Sequence, residues 1–525
     1  MSIIKISDLT FSYEGSYENI FEHMNFQIDT DWKLGFVGRN GKGKTTFLNL
    51  LMDKYEYKGK IETSVTFDYF PFEVEDYSIK TIDYMRGIVG PYSALEQEME
   101  ACLNENSETS LHKYSEVLEE YLHYEGYTIN QDIERELNLL QVPLNVMERS
   151  FQTLSNGERT KVMLAALFLK KNNFLLIDEP TNHLDMEGRV IVANYLNSKK
   201  SFILVSHDRG FLDLCIDHVL SINKINIEIQ QGNFSSWYQN KEYQDNFEVN
   251  KNDKLKKDIY HLKTAATRTS GWSDKIEKGK IGDHEADRGR VGHLAAKMMK
   301  RSKSIEKRQN DAIDEKQQLM KNIDSSSKLK MSILEHHNKR YIEVSDLSIS
   351  YDHGAIFEPI SFVVNEGDRI AIKGGNGSGK TSLFKALLGE HIQHMGSYKL
   401  ASGLKISYMS QDTSDLSGSL NDYAEANHID ETLLFTVLRQ LNFPRTQFDK
   451  NIEDYSDGQK KKVLLAKSLI EPSHLFIWDE PLNYIDILSR IQIEEVIEEF
   501  QPTLIFVEHD KRFMEKVSTK IVELR

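Results

Sequence analysis

An internal repeat constrains the fold of this chain more than any other feature of its sequence. The glycine-rich segment FVGRNGKGKTTFLNLL at 36–51 returns as IKGGNGSGKTSLFKALL at 372–388. The segment LLIDEPTNHLDM at 175–186, in which an apolar run ends in two acids, returns as FIWDEPLNYIDI at 476–487. Each glycine-rich segment follows a short apolar run and opens a helical pattern, so both halves predict the same α/β fold. We therefore expect two tandem α/β domains.

Length and composition agree with a soluble protein of several domains. A chain of 525 residues exceeds what one hydrophobic core covers, and the repeats predict domains at 1–236 and 341–525 with a middle segment at 237–340. Apolar runs such as SFILV and LIFV are far shorter than the roughly 18–20 residues of a membrane span. The two cysteines, Cys102 and Cys215, suggest neither a disulfide framework nor a zinc site. We expect a cytoplasmic monomer with no membrane partner and no metal other than Mg²⁺.

One interval differs between the two repeats and predicts an insertion. Phe72 and Leu154 are 82 residues apart, whereas the matching positions Gln411 and Tyr455 are 44 residues apart. The first domain therefore holds about 38 additional residues while the rest of the repeat keeps its spacing. We predict a helical arm on the domain surface, at about 88–148.

Two glycine-rich loops match the phosphate-binding pattern of nucleotide hydrolases. Glycine, four residues, glycine, lysine and threonine occur in this order twice, ending at Thr45 and Thr381. Glycines let backbone N–H groups converge on phosphate oxygens, the lysine reaches the β- and γ-phosphates, and the threonine hydroxyl binds Mg²⁺. The ligands predicted are ATP and Mg²⁺. The loop residues assigned to the nucleotide are Gly38, Asn40, Gly41, Gly43, Lys44, Thr45, Thr46, Gly374, Asn376, Gly377, Gly379, Lys380, Thr381 and Ser382.

Each loop is accompanied by a strand that ends in paired acids. The runs FLLIDE and LFIWDE read as buried strands. The first acid of each pair, Asp178 and Asp479, is predicted to hold Mg²⁺, and the second, Glu179 and Glu480, to polarise the attacking water. The histidines that end two later strands are assigned to the γ-phosphate, although histidines satisfied within the core would also fit, and they are His207 and His509.

The segments LSNGE and YSDGQ carry a resemblance to a known family. Either serine alone could simply cap a helix, but Ser-x-Gly-(Glu/Gln) stands 23 residues before the acidic strand end in both domains. This arrangement resembles the signature of ABC ATPases, in which the signature of one domain closes over the nucleotide held by the other domain's loop. The resemblance implies two composite sites. The first loop would work with Ser456 and Gly458, and the second with Ser155 and Gly157.

The same resemblance points to an inequality between the two sites. ABC ATPases usually have a Mg²⁺-contacting glutamine after the strand that follows the loop, and Gln411 fits this position, whereas the first domain has Phe72. Phenylalanine cannot ligate a cation, so we expect the first site to bind Mg–ATP through Thr45 and Asp178 and to hydrolyse it more slowly. The aromatic residues that match the adenine-stacking position of the family, or that only pack within their strands, are Tyr13 and Tyr351.

The middle segment is basic within an acidic chain. Residues 241–340 contain 24 Lys and Arg against 16 Asp and Glu, whereas the whole chain has a net charge of −16. This contrast favours a polyanionic partner, although a solvated pair of charged helices fits the charge alone. Apolar residues recur at helical spacing on both sides of a glycine-bearing stretch, which predicts a helical hairpin whose tip lies at about 272–292. Glycines from Gly271 onward are expected to break the first helix, leaving helices of about 30 residues, or roughly 45 Å.

Tandem ABC domains with an inserted arm and a basic hairpin resemble the ABC-F family. Segments such as GWSDK, AAKMMKRSKSI and VEHDKRFM resemble its Lsa-type antibiotic-resistance proteins. The resemblance implies binding to the tRNA exit site of the 70S ribosome and protection against lincosamides, pleuromutilins and streptogramin A. The hairpin tip would approach the peptidyl-transferase centre, disturb the P-site tRNA and release the drug. The residues assigned to large-subunit rRNA are Trp272 (which could equally pack between the hairpin helices), Arg288, Arg290, His293, Lys297, Lys300, Arg301 and Lys303.

Three other functions fit parts of the sequence. A housekeeping ABC-F translation factor would share every motif and differ in the length and residues of the hairpin tip. The ATPase subunit of a drug exporter would leave the charged middle segment unexplained. A DNA-repair or chromosome-type ATPase is disfavoured because zinc-binding cysteines are absent and the hairpin is short.

Overall fold

The computed structural model describes most of both predicted domains and the first half of the middle segment. The described residues are 2–14, 19–72, 76–105, 107–171, 173–182, 184–222, 227–278, 300, 304, 307–308, 328–351, 354–375 and 377–524. They divide into a two-domain unit, Met1–Ser235 with Ser327–Arg525, and a linker unit, Ser236–Ser326.

The first domain is built on two sheets. Its strands are β1 (Ile3–Phe11), β2 (Phe21–Asp29), β3 (Lys33–Val37), β4 (Lys58–Glu62), β5 (Thr66–Phe70), β6 (Asn173–Asp178), β7 (Phe202–Val205), β8 (His218–Ile222) and β9 (Ile227–Gln231). The antiparallel sheet has the order β2-β1-β4, and the larger sheet has the order β5-β6-β7-β3-β8-β9. The larger sheet is parallel except that β9 runs antiparallel to β8. Its central strand β7 is buried along its whole length, as expected for a parallel sheet covered on both faces.

The described part of the first domain contains eight helices and two 3₁₀ turns. They are α1 (Lys44–Leu51), α2 (Thr81–Val89), α3 (Tyr92–Glu105), α4 (Glu108–His123), α5 (Ile129–Leu139), α6 (Asn156–Leu169), α7 (Met186–Ser198) and α8 (Arg209–Cys215), with 3₁₀ turns at Leu144–Glu148 and Phe151–Thr153. Ser107 caps α4 by accepting a hydrogen bond from the Ser110 backbone N–H at 3.1 Å. Helices α3 and α4 pack against each other around Tyr92 and Tyr121, whose rings meet edge to face.

The second domain repeats the architecture of the first. Its strands are β10 (Arg340–Tyr351), β11 (Gly354–Ala355), β12 (Ile360–Asn365), β13 (Arg369–Lys373), β14 (His394–Leu400), β15 (Ile406–Met409), β16 (Leu475–Asp479), β17 (Leu504–Val507) and β18 (Lys520–Glu523). The parallel sheet has the order β15-β16-β17-β13-β18, which matches β5-β6-β7-β3-β8, and β10 pairs antiparallel with β11, β12 and β14. The prediction of two tandem α/β domains is therefore confirmed.

Helices of the second domain show where the arm enters the first. They are α10 (Lys380–Leu387), α11 (Leu420–Ala426), α12 (Glu431–Gln440), α13 (Asp457–Ile470), α14 (Ile487–Phe500) and α15 (Lys511–Val517), with 3₁₀ turns at Arg445–Gln447 and Ile452–Asp454. In chain order α11 corresponds to α2 and α12 corresponds to α5. In the first domain two 3₁₀ turns and the long helix α6 follow α5, and in the second domain two 3₁₀ turns and the long helix α13 follow α12. Helices α3 and α4 are thus the pair without a counterpart among the described elements of the second domain.

The linker unit corrects the predicted position of the first helix end. Helix α9 (Phe234–Lys278) is 45 residues long and continues through Gly271 and Trp272. The expectation that Gly271 breaks this helix is wrong, because one glycine costs a helix only about 1 kcal/mol relative to alanine. Of the predicted hydrophobic stripe, Ile259 is buried and Leu255 half-buried. Beyond Lys278, most of the predicted tip and returning helix lie outside the described residues.

The segment that precedes β10 belongs with the second domain and not with the predicted linker. Leu329 and Met331 are 3% and 5% exposed and join the hydrophobic core that contains Trp478. Backbone hydrogen bonds run from Ser332 N–H to Leu469 O at 2.9 Å and from Leu334 N–H to Ser473 O at 3.0 Å. The predicted linker boundary at residue 340 is therefore too late, since two apolar side chains bury themselves in the domain before the repeat begins.

Among the described residues, no helix is both long and apolar enough to cross a membrane.

Replacing Leu329 by alanine is expected to destabilise the second domain. Removal of a buried leucine side chain costs about 2–5 kcal/mol of unfolding free energy, even though residue 329 lies outside the repeated sequence. The measurement is urea unfolding followed by the fluorescence of Trp478, after Trp32, Trp237 and Trp272 have been replaced by phenylalanine.

The matched control is Leu433→Ala on α12, because that leucine is 52% exposed. It should change the unfolding free energy by less than about 0.5 kcal/mol. Equal effects of the two substitutions would contradict the placement of Leu329 in the core.

Candidate active sites between the two domains

Both phosphate loops turn into a helix at a glycine with left-handed backbone geometry. Gly43 has φ 89° and Gly379 φ 85°, and the helices α1 and α10 begin at the next residue. L-residues rarely adopt this conformation, so glycine is required there. At Gly43 an added Cβ would also lie 2.6 Å from the Ile20 side chain. The unpaired N–H groups of the first helical turn are thereby directed into the loop, as phosphate binding requires.

The loop lysines are buried and held by carbonyl groups of their own loops. Lys44 Nζ donates to Gly38 O at 2.6 Å, and Lys380 Nζ donates to Gly374 O at 3.0 Å and Gly375 O at 2.8 Å. Burial lowers the pKa of both ammonium groups, while nearby carboxylates oppose the shift. Each lysine is therefore already positioned at the centre of its loop, where it can exchange carbonyl partners for phosphate oxygens.

The predicted Mg²⁺ ligands of each domain meet in the structure. Thr45 Oγ1 donates to Asp178 Oδ2 at 3.0 Å, and Thr381 Oγ1 donates to Asp479 Oδ2 at 2.8 Å. Burial raises the pKa of both aspartates. A hydroxyl beside a carboxylate is the oxygen donor set that Mg²⁺ prefers when phosphates supply further ligands, so these residues fit the ion. When bound, Mg²⁺ would neutralise charge on the β- and γ-phosphates.

The glutamates and histidines form matching pairs next to these aspartates. His207 Nε2 lies 3.3 Å from Glu179 Oε1, and His509 Nε2 lies 3.3 Å from Glu480 Oε1. Both glutamates have positive φ, 51° and 50°, which is strained for a side chain of this size and is often seen at functional sites. The arrangement places one carboxylate and one imidazole at each loop.

The two glutamates differ in their electrostatic surroundings. Burial, with the nearby Asp178 carboxylate, raises the pKa of Glu179 to about 8. Burial also acts to raise the pKa of Glu480, but the His509 hydrogen bond and the Lys380 and Lys461 ammonium groups outweigh it and leave that pKa below its ordinary value. The two predicted sites therefore share a geometry and differ in charge balance.

The glutamine position differs between the domains as the sequence predicts. Strand pairing aligns Phe70 with Ile177 and Met409 with Trp478, so two residues further on Phe72 takes the place of Gln411. Gln411 Nε2 donates to Glu480 Oε2 at 2.8 Å. The Phe72 ring instead stacks parallel to Tyr84, with 6.4 Å between ring centroids.

A tyrosine hydroxyl also reaches the acidic strand end of the first domain. Tyr69 Oη donates to Asp178 Oδ2 at 2.9 Å. It provides a polar contact to the predicted metal-binding carboxylate but no carboxamide oxygen like that of Gln411.

The second phosphate loop opens into a cavity that both domains line. The cavity has a volume of about 1020 Å³ and contains Lys380, Thr381, Gln411, Glu480 and His509 of the second domain. Its first-domain lining includes Ser155, Gly157, Lys161 and Arg189. The structure therefore brings the second loop and the signature of the first domain to one site, which is the composite arrangement that the ABC resemblance implies.

The signature serines have both of the roles considered from the sequence. Ser155 caps α6, accepting a hydrogen bond from the Glu158 N–H at 3.2 Å while Glu158 accepts from the Ser155 N–H at 2.8 Å. Ser456 and Gln459 form the same box at α13. Because Ser155 also lines the cavity, capping and facing the site are compatible.

The first phosphate loop is in direct contact with the second domain. Asn40 Nδ2 donates to Tyr484 O at 3.0 Å, and Arg39 donates to the side chain of Asn442. A Cβ added to Gly458 would lie 2.7 Å from Tyr484 O, so the second signature lies beside the same backbone segment. The first loop and the second signature thus meet around Tyr484.

The remaining predicted site residues are placed less completely. Tyr13 donates to or accepts from Thr46 Oγ1 at 2.8 Å and packs edge to face against Phe11 and Tyr55, so it lies at the loop within an aromatic cluster. Lys300 is exposed. The predicted residues that lie outside the described part, wholly or in their side chains, are Tyr351, Asn376, Trp272, Arg288, Arg290, His293, Lys297, Arg301 and Lys303.

Two lysines of the signature helices were not predicted from the sequence. Lys161 lines the cavity of the second loop, and its counterpart Lys462 donates to Leu441 O at 2.7 Å and pairs with Asp486 at 3.1 Å. Both stand six residues after the signature serine. That shared offset is the signal that could have identified them.

Comparison with other proteins gives matches along both domains. The profile of the family described as ABC transporter matches residues 21–182 and 357–483. The Ribosome protection protein VmlR of Bacillus subtilis (strain 168) is 26% identical over 524 residues, covering 97% of this chain and 84% of that protein. The ABC transporter F family member 5 of Arabidopsis thaliana is 25% identical over 561 residues, covering 99% of this chain and 75% of that protein.

A solved structure is similar in fold to this chain. It is the crystal structure of the complex of archaeal ribosomal stalk protein aP1 and archaeal ribosome recycling factor aABCE1, with a TM-score of 0.56 and 18% identity. The match covers 98% of this chain and 87% of that one.

Single-site variants are expected to turn over ATP at different rates. Glu179→Gln leaves the second site active, Glu480→Gln leaves the first, and turnover by the first should be slower because Phe72 replaces the glutamine there. The measurement is steady-state phosphate release at saturating ATP with Mg²⁺.

Adding Gln411→Phe to the Glu179→Gln variant is the matched control. It should lower turnover at the second site toward the rate of the first. Equal turnover in the two single-site variants would contradict the role assigned to this position.

Proposed function

Because this chain belongs to the ABC transporter family and is an ABC-F ATPase with two tandem ABC domains, we propose that it protects the ribosome from antibiotics of the peptidyl-transferase centre. In this proposal it binds the tRNA exit site of the 70S ribosome in the ATP-bound state. The tip of the middle segment displaces lincosamides, pleuromutilins and streptogramin A. The protein contacts large-subunit rRNA and the P-site tRNA and acts in the cytoplasm.

The observation that carries the proposal is the match to a ribosome protection protein across nearly the whole chain. The similarity to VmlR covers 97% of the residues here, so it includes the segment between the ABC domains as well as the domains themselves. The segment between the domains, which is not part of either ATPase site, is the part we assign to the ribosome.

Charge and length of the middle segment support a nucleic-acid partner. Residues 241–340 carry 24 basic and 16 acidic side chains in a chain with a net charge of −16. Helix α9 alone spans 45 residues, which is about 67 Å at 1.5 Å per residue. Basic side chains on a long helix can neutralise successive RNA phosphates, and such contacts weaken steeply with salt because counterions are released on binding. The residues proposed to contact RNA stay those assigned from the sequence.

The composite sites explain how ATP would control this binding. Each nucleotide would join the loop of one domain to the signature of the other, so ATP stabilises the closed arrangement of the two domains. Glu179 and Glu480 would polarise the attacking water, with His207 and His509 beside the γ-phosphate. Hydrolysis removes the γ-phosphate that bridges the two domains, so closure is lost and the protein leaves the ribosome.

The double variant Glu179→Gln with Glu480→Gln is expected to stay on ribosomes in the presence of ATP. It binds ATP but cannot activate the water, so it remains in the closed state. The measurement is co-sedimentation with 70S ribosomes through a sucrose cushion, which should retain several-fold more variant than wild-type protein.

The control is Lys44→Ala with Lys380→Ala, which removes the lysines that hold the phosphates. This variant should not co-sediment with ATP, and raising the salt concentration should release the glutamate variant. Failure of the glutamate variant to co-sediment at low salt would contradict the ribosome proposal.

Cells that express the protein are expected to become more resistant to drugs that bind the peptidyl-transferase centre, and their resistance to an unrelated drug should not change. The measurement is the minimum inhibitory concentration for a lincosamide, a pleuromutilin, streptogramin A and an unrelated drug, together with uptake of labelled lincosamide. Alanine at Arg288, Arg290 and Lys297 should reduce the protection at least fourfold, because these side chains are proposed to meet rRNA.

The control replaces Lys58, Lys60 and Lys399, which are exposed on the ABC domains, and should keep full protection. Co-sedimentation without any change in drug susceptibility would favour a housekeeping translation factor. Reduced drug accumulation would instead favour the ATPase of an exporter.

A further inference from the structure

A buried glutamate of the second domain stands next to His509 and lines a small cavity that also contains Lys380 of the second phosphate loop. Glu508 follows the last residue of β17 and precedes His509, and it is 5% exposed. Its Oε1 accepts the backbone N–H of Leu482 at 2.7 Å, and its Oε2 accepts the backbone N–H of His509 at 3.1 Å. One carboxylate thus joins the segment after Glu480 to the segment that carries the site histidine.

The first domain does not use a carboxylate at this position. The counterpart of Glu508 is Ser206, whose Oγ lies 3.2 Å from Thr181 Oγ1 and accepts the Asp208 N–H at 3.2 Å. Thr181 is the counterpart of Leu482. The first domain therefore connects the same two segments through side-chain hydroxyls, and the second connects them through a carboxylate and a backbone amide, which is the stronger kind of hydrogen bond.

The segment held by Glu508 extends from one site to the other. Residues 481–484 follow Glu480, whose carboxylate Oε2 accepts from Asn483 Nδ2 at 2.5 Å. Leu482 is fully buried, and Tyr484 has a left-handed backbone, φ 62°. Tyr484 O accepts from Asn40 Nδ2 of the first phosphate loop at 3.0 Å. Fixing the centre of this segment therefore fixes the carbonyl that the first loop contacts.

We infer that Glu508 is a positioning residue for ATP turnover at the first site, although it stands in the second domain. Its hydrogen bond from the Leu482 N–H holds residues 481–484 in the position where Tyr484 O contacts Asn40. Its hydrogen bond from the His509 N–H connects the position of this segment to the second site. The inference rests on the proposed roles of Glu179 and Glu480.

The principal test uses the full-length protein with only the first site active. In the Glu480→Gln background, Glu508→Ser introduces the first domain's residue and removes both acceptors. Turnover, measured as kcat, should fall at least fivefold, with a smaller change in KM for ATP. Glu508→Gln keeps the volume and one carbonyl oxygen, so its kcat should lie between that of the Glu480→Gln parent and that of the Glu508→Ser variant.

The control is Glu471→Ser in the same background. It removes a half-buried carboxylate of the same domain, which accepts a hydrogen bond from Ser407 Oγ at 2.9 Å, and it should leave kcat within twofold of the parent.

A double-mutant cycle distinguishes positioning from general destabilisation. If Glu508 acts through Tyr484 and Asn40, then Asn40→Ala and Glu508→Ser combined should lower kcat little further than the larger single effect. Multiplied effects would overturn the inference, as would a kcat within twofold of the Glu480→Gln parent.

A second readout depends on neither of the catalytic glutamates. In otherwise wild-type protein, Glu508→Ser is expected to accelerate hydrogen exchange at the backbone amides of Leu482, Asn483 and Tyr484. If the serine variant does not fold, Glu508→Gln is used in its place. Unchanged exchange there would also overturn the inference. Residual hydrolysis by the Glu179→Gln, Glu480→Gln double variant would count against the proposed glutamate roles. In that case the hydrogen-exchange result by itself would decide whether Glu508 holds the segment.

Discussion

Each phosphate loop meets a surface that the other domain supplies, and this division is the constraint on which the rest of the structure depends. The second loop opens into a cavity whose far wall contains Ser155 and Lys161, and the first loop touches Tyr484. Arg189 of the first domain also donates to His509 O at 3.2 Å. The signature serine and the acidic strand end keep the same spacing of 23 residues in both domains, so each half-site presents the same arrangement to its partner.

Repetition of the fold has not made the two sites equal. The loop glycines, the Thr–Asp pairs and the Glu–His distances agree closely between the domains. The differences are Phe72 against Gln411, the opposite pKa shifts of Glu179 and Glu480, and Ser206 against Glu508. All three differences lie in or directly beside the two candidate sites, so the two sites have the same framework and different surroundings.

The parts that were predictable are those whose chemistry fixes residue type and spacing. Glycine at positive φ, a lysine and threonine at a helix start, and acids at a strand end can be read without a fold, and the repeat supplied their pairing. The helix across Gly271 was not predictable from propensity, because a cost near 1 kcal/mol is easily offset in a 45-residue helix. Glu508 was missed because its two backbone contacts depend on which segments pack together, and that is a tertiary property.

The short segment before β10 makes the folded second domain longer than the repeated sequence. By similarity the second domain starts near residue 341, yet Leu329 and Met331 fill part of its core. A fragment cut at the edge of the similarity would expose the apolar surface that these side chains cover, and contiguous exposed apolar surface promotes association. Any fragment that is to keep this core intact therefore has to include the residues from 328 onward and is longer than the repeated sequence.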